Sequence, residues 1–226
     1  MQRPKEFGGD KKLPMKSLFA KQEHALIHST IHLIPRWIEG YHLTLMTILW
    51  SIGLVAAGYL AQENRHWLWL SSLLIFLQWF TDSYDGALGR LRDTGIPKWG
   101  YYMDHLLDYV FLCAVVIGYS FLVSTQHIRT LFILLLIAIG FMMNSYLSFA
   151  ATNEFKITFL GLGPTEIRLL FILLNTAIIL FGAMFIDRAL PYAIPIALIG
   201  LIVIVFRTQR YIWKIDMQEK RSRYEP

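Results

Sequence analysis

TDSYDGALGRLRDTGIPKWGYYMDHLLD, residues 81–108, places Asp82, Asp85, Asp104 and Asp108 at the joint between two apolar runs. Asp82 and Asp85 are three residues apart and Asp104 and Asp108 four apart, so on helices each pair shares a face. Two antiparallel helices joined by the short intervening loop would bring all four carboxylates together. One isolated carboxylate within a membrane helix costs about 2.5–3.5 kcal/mol, and four converging anions also repel one another. A compensating charge is therefore required. Arg90 and Arg92 could supply ordinary ion pairs at a helix end, whereas hard divalent cations such as Mg²⁺ or Mn²⁺ suit an all-oxygen cage and share their coordination sphere with phosphates. Gly86 beside Asp85 costs roughly 1 kcal/mol against alanine inside a helix, which suggests that a ligand or a second helix uses the missing side chain's room. Gly89 and Gly100 offer the same, or serve as packing glycines in membrane helices.

Working outward from this stretch, the chain is 55% hydrophobic and 16% charged over 226 residues, too apolar for a soluble domain of this length. Apolar stretches run from Leu43 to Ala61, Trp67 to Phe80, Tyr101 to Ser124, Leu131 to Ala150, Ile167 to Ile186 and Leu190 to Phe206. Each is near the ~20 residues that cross a hydrocarbon core. The second is short, since polar residues begin at Thr81 although a helical pattern could continue past Arg90. The expected fold is an all-α integral membrane protein with six transmembrane helices. Of 21 Lys and Arg residues, all but Arg65, Arg129 and Arg188 fall in segments on one side, which places both termini in the cytoplasm. The net charge of +5 is thus largely a topology signal, with attraction to anionic headgroups a side effect of the tail residues Arg207, Arg210, Lys214, Lys220, Arg221 and Arg223. It is not a nucleic-acid footprint.

The N-terminal segment is too polar before its first apolar run for a secretory signal peptide, and residues 1–16 read as a mobile tail. Ser17 to Ile38 mixes Leu18, Phe19, Leu26, Ile31 and Trp37 with Lys21, Glu23, His24 and His28. This suits a cytoplasmic amphipathic helix, either in the membrane interface or packed on the protein's own end. The division expected is 1–42 for tail and interfacial helix, 43–210 for the six-helix bundle and 211–226 for a basic tail. Cys113 lies in an apolar run with no cysteine partner and reads as a small packed residue. Thr165 and Glu166 read as an N-terminal cap of the fifth helix with Arg168 at the interface, and His42 as an interfacial polar residue.

The spacing D-x2-D-G-x2-G-R-x9-G-x3-D-x3-D resembles the signature of the CDP-alcohol phosphotransferase family, usually written with Ala where Gly89 stands. At ordinary residue frequencies it would match a given start by chance on the order of once in 10⁸. The run Pro35 to Thr44 echoes the family's approach to its first helix, with His42 where Asn is expected. FLGLGPTEIR, which includes Thr165, Glu166 and Arg168, and the pair Asp104-His105 are similar to segments of the choline and ethanolamine phosphotransferase branch. The chain is much shorter than the eukaryotic members of that branch.

The resemblance implies that Asp82, Asp85, Asp104 and Asp108 hold two divalent ions, Mg²⁺ or Mn²⁺. It further implies that Asp108 is the general base, that Asp82, Asp85, Gly86, Gly89 and Arg90 line the site of the CDP moiety, and that the protein is a homodimer. The implied reaction transfers a phosphate-linked group from a CDP donor to an alcohol with release of CMP. Length favours CDP-diacylglycerol as donor; the Asp-His and Thr-Glu echoes favour a CDP-amino-alcohol with diacylglycerol as acceptor. Lys156, Arg168 and Arg129 cannot be sorted into acceptor contacts from sequence. A membrane prenyltransferase also clusters acids around magnesium, and a divalent-cation transporter would place acids in its path; neither accounts for the Gly, Arg and Asp spacing.

Overall fold

The computed structural model describes residues 18–155 and 163–224, and in them there is no strand. Seven α-helices follow in order: α1 (Ala20–Thr30), α2 (Gly40–Leu60), α3 (Leu68–Arg92), α4 (Pro97–Ser120), α5 (Ile128–Thr152), α6 (Pro164–Phe181) and α7 (Met184–Tyr224). Residues 1–17, Lys156 and the first part of the FLGLG segment lie outside the described residues.

Local chemistry sets the helix boundaries. At the start of α2, His42 Nδ1 accepts from the Glu39 amide at 3.0 Å while the Glu39 side chain takes the His42 amide, a reciprocal cap. So His42 closes a helix end. Helix α3 ends where Asp93 adopts φ 54° and its amide bonds the Gly89 carbonyl, a left-handed terminus. Pro97 then opens α4, where its fixed φ fits the helix and its missing N–H costs nothing.

Among the described residues, five helical segments are long and apolar enough to cross a membrane: Gly40–Leu60, Pro97–Ser120, Thr125–Thr152, Pro164–Phe181 and Ile186–Arg223. Six were expected. The difference is α3, which has 25 residues, ample for a span, but carries Asp82, Asp85, Arg90 and Arg92 in its last turns. Its helix runs past the end of the apolar run at Phe80 to Arg92, as the helical pattern continuing beyond Thr81 allowed. The last helix also exceeds expectation. At 41 residues α7 is about 60 Å long, twice a hydrocarbon core.

The helices alternate in direction, so that the N-terminal ends of α2, α4 and α6 meet the C-terminal ends of α3 and α5. A close crossing joins α2 and α4, where a Cβ built on Gly58 would stand 2.5 Å from the Gly118 Cα. Only glycine permits that approach. Toward the end of the bundle away from the motif aspartates, Tyr119 Oη donates to Asn175 Oδ1 at 2.8 Å and Asn175 Nδ2 donates to Ser72 Oγ at 3.1 Å, a buried polar chain across α4, α6 and α3. Leu54, Ile75, Phe111, Val115, Ile178 and Ile179 pack around it. A second, smaller core of Ile31, Ile34, Leu43, Tyr84 and Leu88 seats the segment after α1 on α2 and α3.

Helix α1 buries none of its own residues. It is held by polar contacts: Glu23 accepts from Ser83 Oγ and from Thr165 Oγ1, both at 2.8 Å, and Thr30 and Tyr84 hydroxyls meet at 2.5 Å. Leu18, Phe19 and Leu26 remain exposed.

Candidate active site

The motif acids come together at the end where α3 finishes and α4 begins. Asp82 and Asp85 project from the last turns of α3, and Asp104 and Asp108 from the first turns of α4. Asp104 lies within side-chain hydrogen-bonding reach of Asp82 and within electrostatic reach of Asp108 and Asp85, so three of its nearest charges are the other motif aspartates. The convergence expected from the two spacings is present.

Each acid has its own surroundings. Asp85 Oδ2 accepts from Thr44 Oγ1 of α2 at 2.5 Å. Helix α2 reaches that position because it begins with Gly40, whose Cβ would stand 2.5 Å from the Asp85 carbonyl oxygen. Asp104 and Asp108, with His105 between them, offer ligand atoms that all lie within 4.8 Å of one another, a group able to hold a metal ion. The His105 Nδ1 is 3.5 Å from Asp104 Oδ2. Its ring stacks on Phe155 at 4.6 Å and on Tyr146 at 5.5 Å between centroids, which fixes its orientation.

Beside Asp85 and Asp104 opens a cavity of about 280 Å³, lined also by Gly86, Gly89, Arg90, Gly100, Tyr101 and Phe155. This is near the lower end of small-ligand sites, which span roughly 300–1,000 Å³. Gly100 faces open space, since a Cβ there would meet nothing within 4 Å. Gly86 lies against the Arg90 guanidinium, 3.2 Å from a built Cβ, and Gly89 is pressed on Gly95 Cα at 3.1 Å. Gly89 therefore serves packing as well as lining the cavity. Asp82 and Asp108 do not line the cavity.

They face Arg168 instead. One guanidinium nitrogen, Nη2, stands 3.0 Å from Asp82 Oδ2 and 3.1 Å from Asp108 Oδ1. Nε donates to Gln78 Oε1 at 2.5 Å, and the group lies 5.7 Å over the Phe111 ring. Arg168 is 5% exposed, so it does not sit at the interface, where sequence reasoning placed it. It comes from the first turns of α6, and its partners are 60 and 86 residues earlier, a distance at which no periodicity links them. Arg92, a nearer candidate for pairing the acids, turns away and donates to the carbonyls of Ile34 at 2.8 Å and of Ile38. It ties down the segment leading into α2.

The start of α6 is capped as expected in substance, with a shift in position. Gly163 is the cap residue, Pro164 opens the helix, and Glu166 Oε2 accepts the Gly163 amide at 2.8 Å. Its other oxygen accepts the Phe19 amide at 3.0 Å, so Glu166 also fastens the chain just before α1. Thr165 Oγ1 bonds Glu23 and receives Trp79 Nε1 at 3.3 Å. Among the described residues, the Thr-Glu pair itself signalled the contacts at α6, and Thr44 stood in the run Pro35 to Thr44 that echoes the family; nothing in the sequence pointed to Glu23 or Gln78 as partners.

A cluster of carboxylates with no thiolate suits a hard divalent cation. Asp104 and Asp108 fit such an ion directly, with His105 as an added nitrogen donor, and Asp85 stands at the cavity wall beside them. The model of the CDP-alcohol phosphatidyltransferase family matches residues 40–212, most of the chain, and the chain belongs to that family. No curated protein and no solved structure matches it. Membership makes it a transferase of the kind that moves phospholipid headgroups between CDP-linked and free alcohols, in a family that typically uses divalent metal ions.

Proposed function

We propose that the protein transfers a phosphatidyl group from CDP-diacylglycerol to a small polar alcohol and releases CMP. The observation that carries this reading is the meeting of Asp82, Asp85, Asp104 and Asp108 beside a glycine-lined cavity at one end of an apolar bundle. One substrate with acyl chains and one soluble in water can both reach such a place. Gly86, Gly89 and Arg90 line the side where the cytidine and its phosphates lie, and the missing side chains allow a close approach to backbone.

Two divalent ions, Mg²⁺ or Mn²⁺, held by the four aspartates would neutralise the donor pyrophosphate and the charge that develops on the leaving phosphate. Asp108 takes the proton from the acceptor hydroxyl. The hydroxyl oxygen bonds to the phosphorus nearer the diacylglycerol as the bond from that phosphorus to the bridging oxygen breaks, and the bridging oxygen leaves with CMP. Arg90 steadies the phosphates from the cavity rim.

In the membrane, α3 makes the sixth span, its apolar half in the hydrocarbon and its last turns facing the polar cavity. Both termini and the site then lie on the cytoplasmic side, with α1 along the interface through Leu18, Phe19 and Leu26, as the distribution of Lys and Arg supports. Residues 43–210 form the transferase bundle, preceded by the tail and interfacial helix and followed by the basic tail, and two copies associate as a homodimer.

A CDP-choline or CDP-ethanolamine donor with diacylglycerol as acceptor is the second reading, favoured by Asp104-His105 and Thr165-Glu166. Purified protein offered CDP-diacylglycerol, CDP-choline and CDP-ethanolamine in turn, each with a panel of acceptors, separates the two. Turnover with CDP-diacylglycerol alone supports the first; turnover with a CDP-amino-alcohol alone replaces it. Divalent-ion flux into proteoliposomes without CMP release from any donor would make the protein a cation transporter.

A further inference from the structure

We propose that Arg168 is a built-in counter-cation that holds the acidic site together before metal arrives and yields Asp82 and Asp108 when it does. This rests on the reading of the aspartates as a metal site. Four carboxylates cannot converge in an apolar bundle without positive charge nearby. Arg92 does not supply it to Asp82 and Asp108, since it is spent on backbone carbonyls, and Arg90 lies at the cavity that Asp85 and Asp104 line and these two do not. Arg168 supplies it from a third helix. Its charge is nearest to Asp82, Asp108, Asp104 and Glu23, and its Nη2 sits between one oxygen of Asp82 and one of Asp108 at 3.0 and 3.1 Å.

The remaining contacts suit a group that must be held in place and still able to shift. Gln78, itself 1% exposed, fixes Nε, and the Phe111 ring lies along the guanidinium at 5.7 Å. Neither contact involves an aspartate, so the arginine keeps an anchor when Nη2 lets go. A divalent ion that takes the oxygens of Asp82 or Asp108 competes directly with this nitrogen, because a carboxylate oxygen cannot bind both at full strength. Arg168 thereby acts as a positioning residue. It keeps α3, α4 and α6 in register in the metal-free protein and lowers the affinity for metal alone.

The two roles predict opposite responses in one variant. In full-length protein in lipid-detergent micelles, Arg168→Gln should melt at a lower temperature than wild type in chelator. It should also bind Mn²⁺, counted by the electron paramagnetic resonance signal of the free ion, roughly tenfold more tightly, the scale on which neighbours of metal ligands act. The rise in melting temperature on saturation with Mn²⁺ should be larger than in wild type. A purely structural arginine would give weaker or unchanged Mn²⁺ binding, and that result overturns the proposal.

Should Arg168→Gln fail to fold, wild-type protein carrying [¹⁵N]arginine gives a second test. The Arg168 Nη–H resonances, assigned through their loss in Arg168→Lys, should shift when Mg²⁺ is added, and resonances unmoved at saturating Mg²⁺ overturn the proposal. If wild type releases CMP with metal but Arg168→Gln gains no affinity, this inference falls and the transferase reading stands. If wild type binds no divalent ion, both fall.

Discussion

Gly40→Ala tests the geometry on which the site depends. A Cβ at position 40 would stand 2.5 Å from the Asp85 carbonyl oxygen and 3.4 Å from its carbon, whereas ordinary contacts begin at 3.4 Å. That carbonyl belongs to the α3 backbone and cannot rotate aside, so the start of α2 must retreat by about 1 Å, an overpacking worth about 1–3 kcal/mol. The same retreat carries Thr44 away from Asp85, to which it donates at 2.5 Å. A displacement of about 1 Å at a catalytic group can cost on the order of 10² in rate. Gly53→Ala on the same helix is the control. Its Cβ would meet the end of the Leu74 side chain at 2.9 Å, which can change rotamer. The assay is CMP release at saturating Mg²⁺ together with a thermal melt. Gly40→Ala should lose about 10² in kcat/KM and melt lower, while Gly53→Ala stays near wild type in activity. Gly40→Ala at wild-type kcat/KM and melting temperature would refute the close seating of α2 on the Asp85 turn.

Two further outcomes follow from other parts of the molecule. Gly100→Ala faces open space in the cavity and lies inside α4, where alanine favours the helix by about 0.5–1 kcal/mol, so its melting temperature should match or exceed wild type and any loss should fall on KM for the donor; a clear drop in melting temperature would contradict the open wall. Tyr119→Phe leaves the buried Asn175 Oδ1 without its hydroxyl donor, which should cost about 1–3 kcal/mol in a denaturation measurement with KM unchanged.

The sequence made the apolar helices and the convergence of the four aspartates legible, because both are local. Hydropathy runs mark spans within one helix, and Asp82 with Asp85 or Asp104 with Asp108 share a face by helical periodicity alone. What it hid was non-local or depended on competition. Arg92 offers the same charge as Arg168 and is nearer in sequence to the acids, but three-dimensional packing gives it carbonyls and gives Arg168 the carboxylates. His105 was visible only as the neighbour of Asp104, and its aromatic stack on Phe155 and Tyr146 joins residues about 40 to 50 positions apart. Glu166 was legible as a cap, since Gly-Pro-Thr-Glu is a local signal; its bond to the Phe19 amide was not.

The most direct test of the transferase reading is CMP release from CDP-diacylglycerol by wild type and Asp108→Asn, with Mg²⁺, with chelator, and with Mg²⁺ restored. Wild type should release CMP, stop on chelation and resume with Mg²⁺ or Mn²⁺, and Asp108→Asn should release none throughout. Release that persists in chelator, or an Asp108→Asn variant as active as wild type, would contradict it.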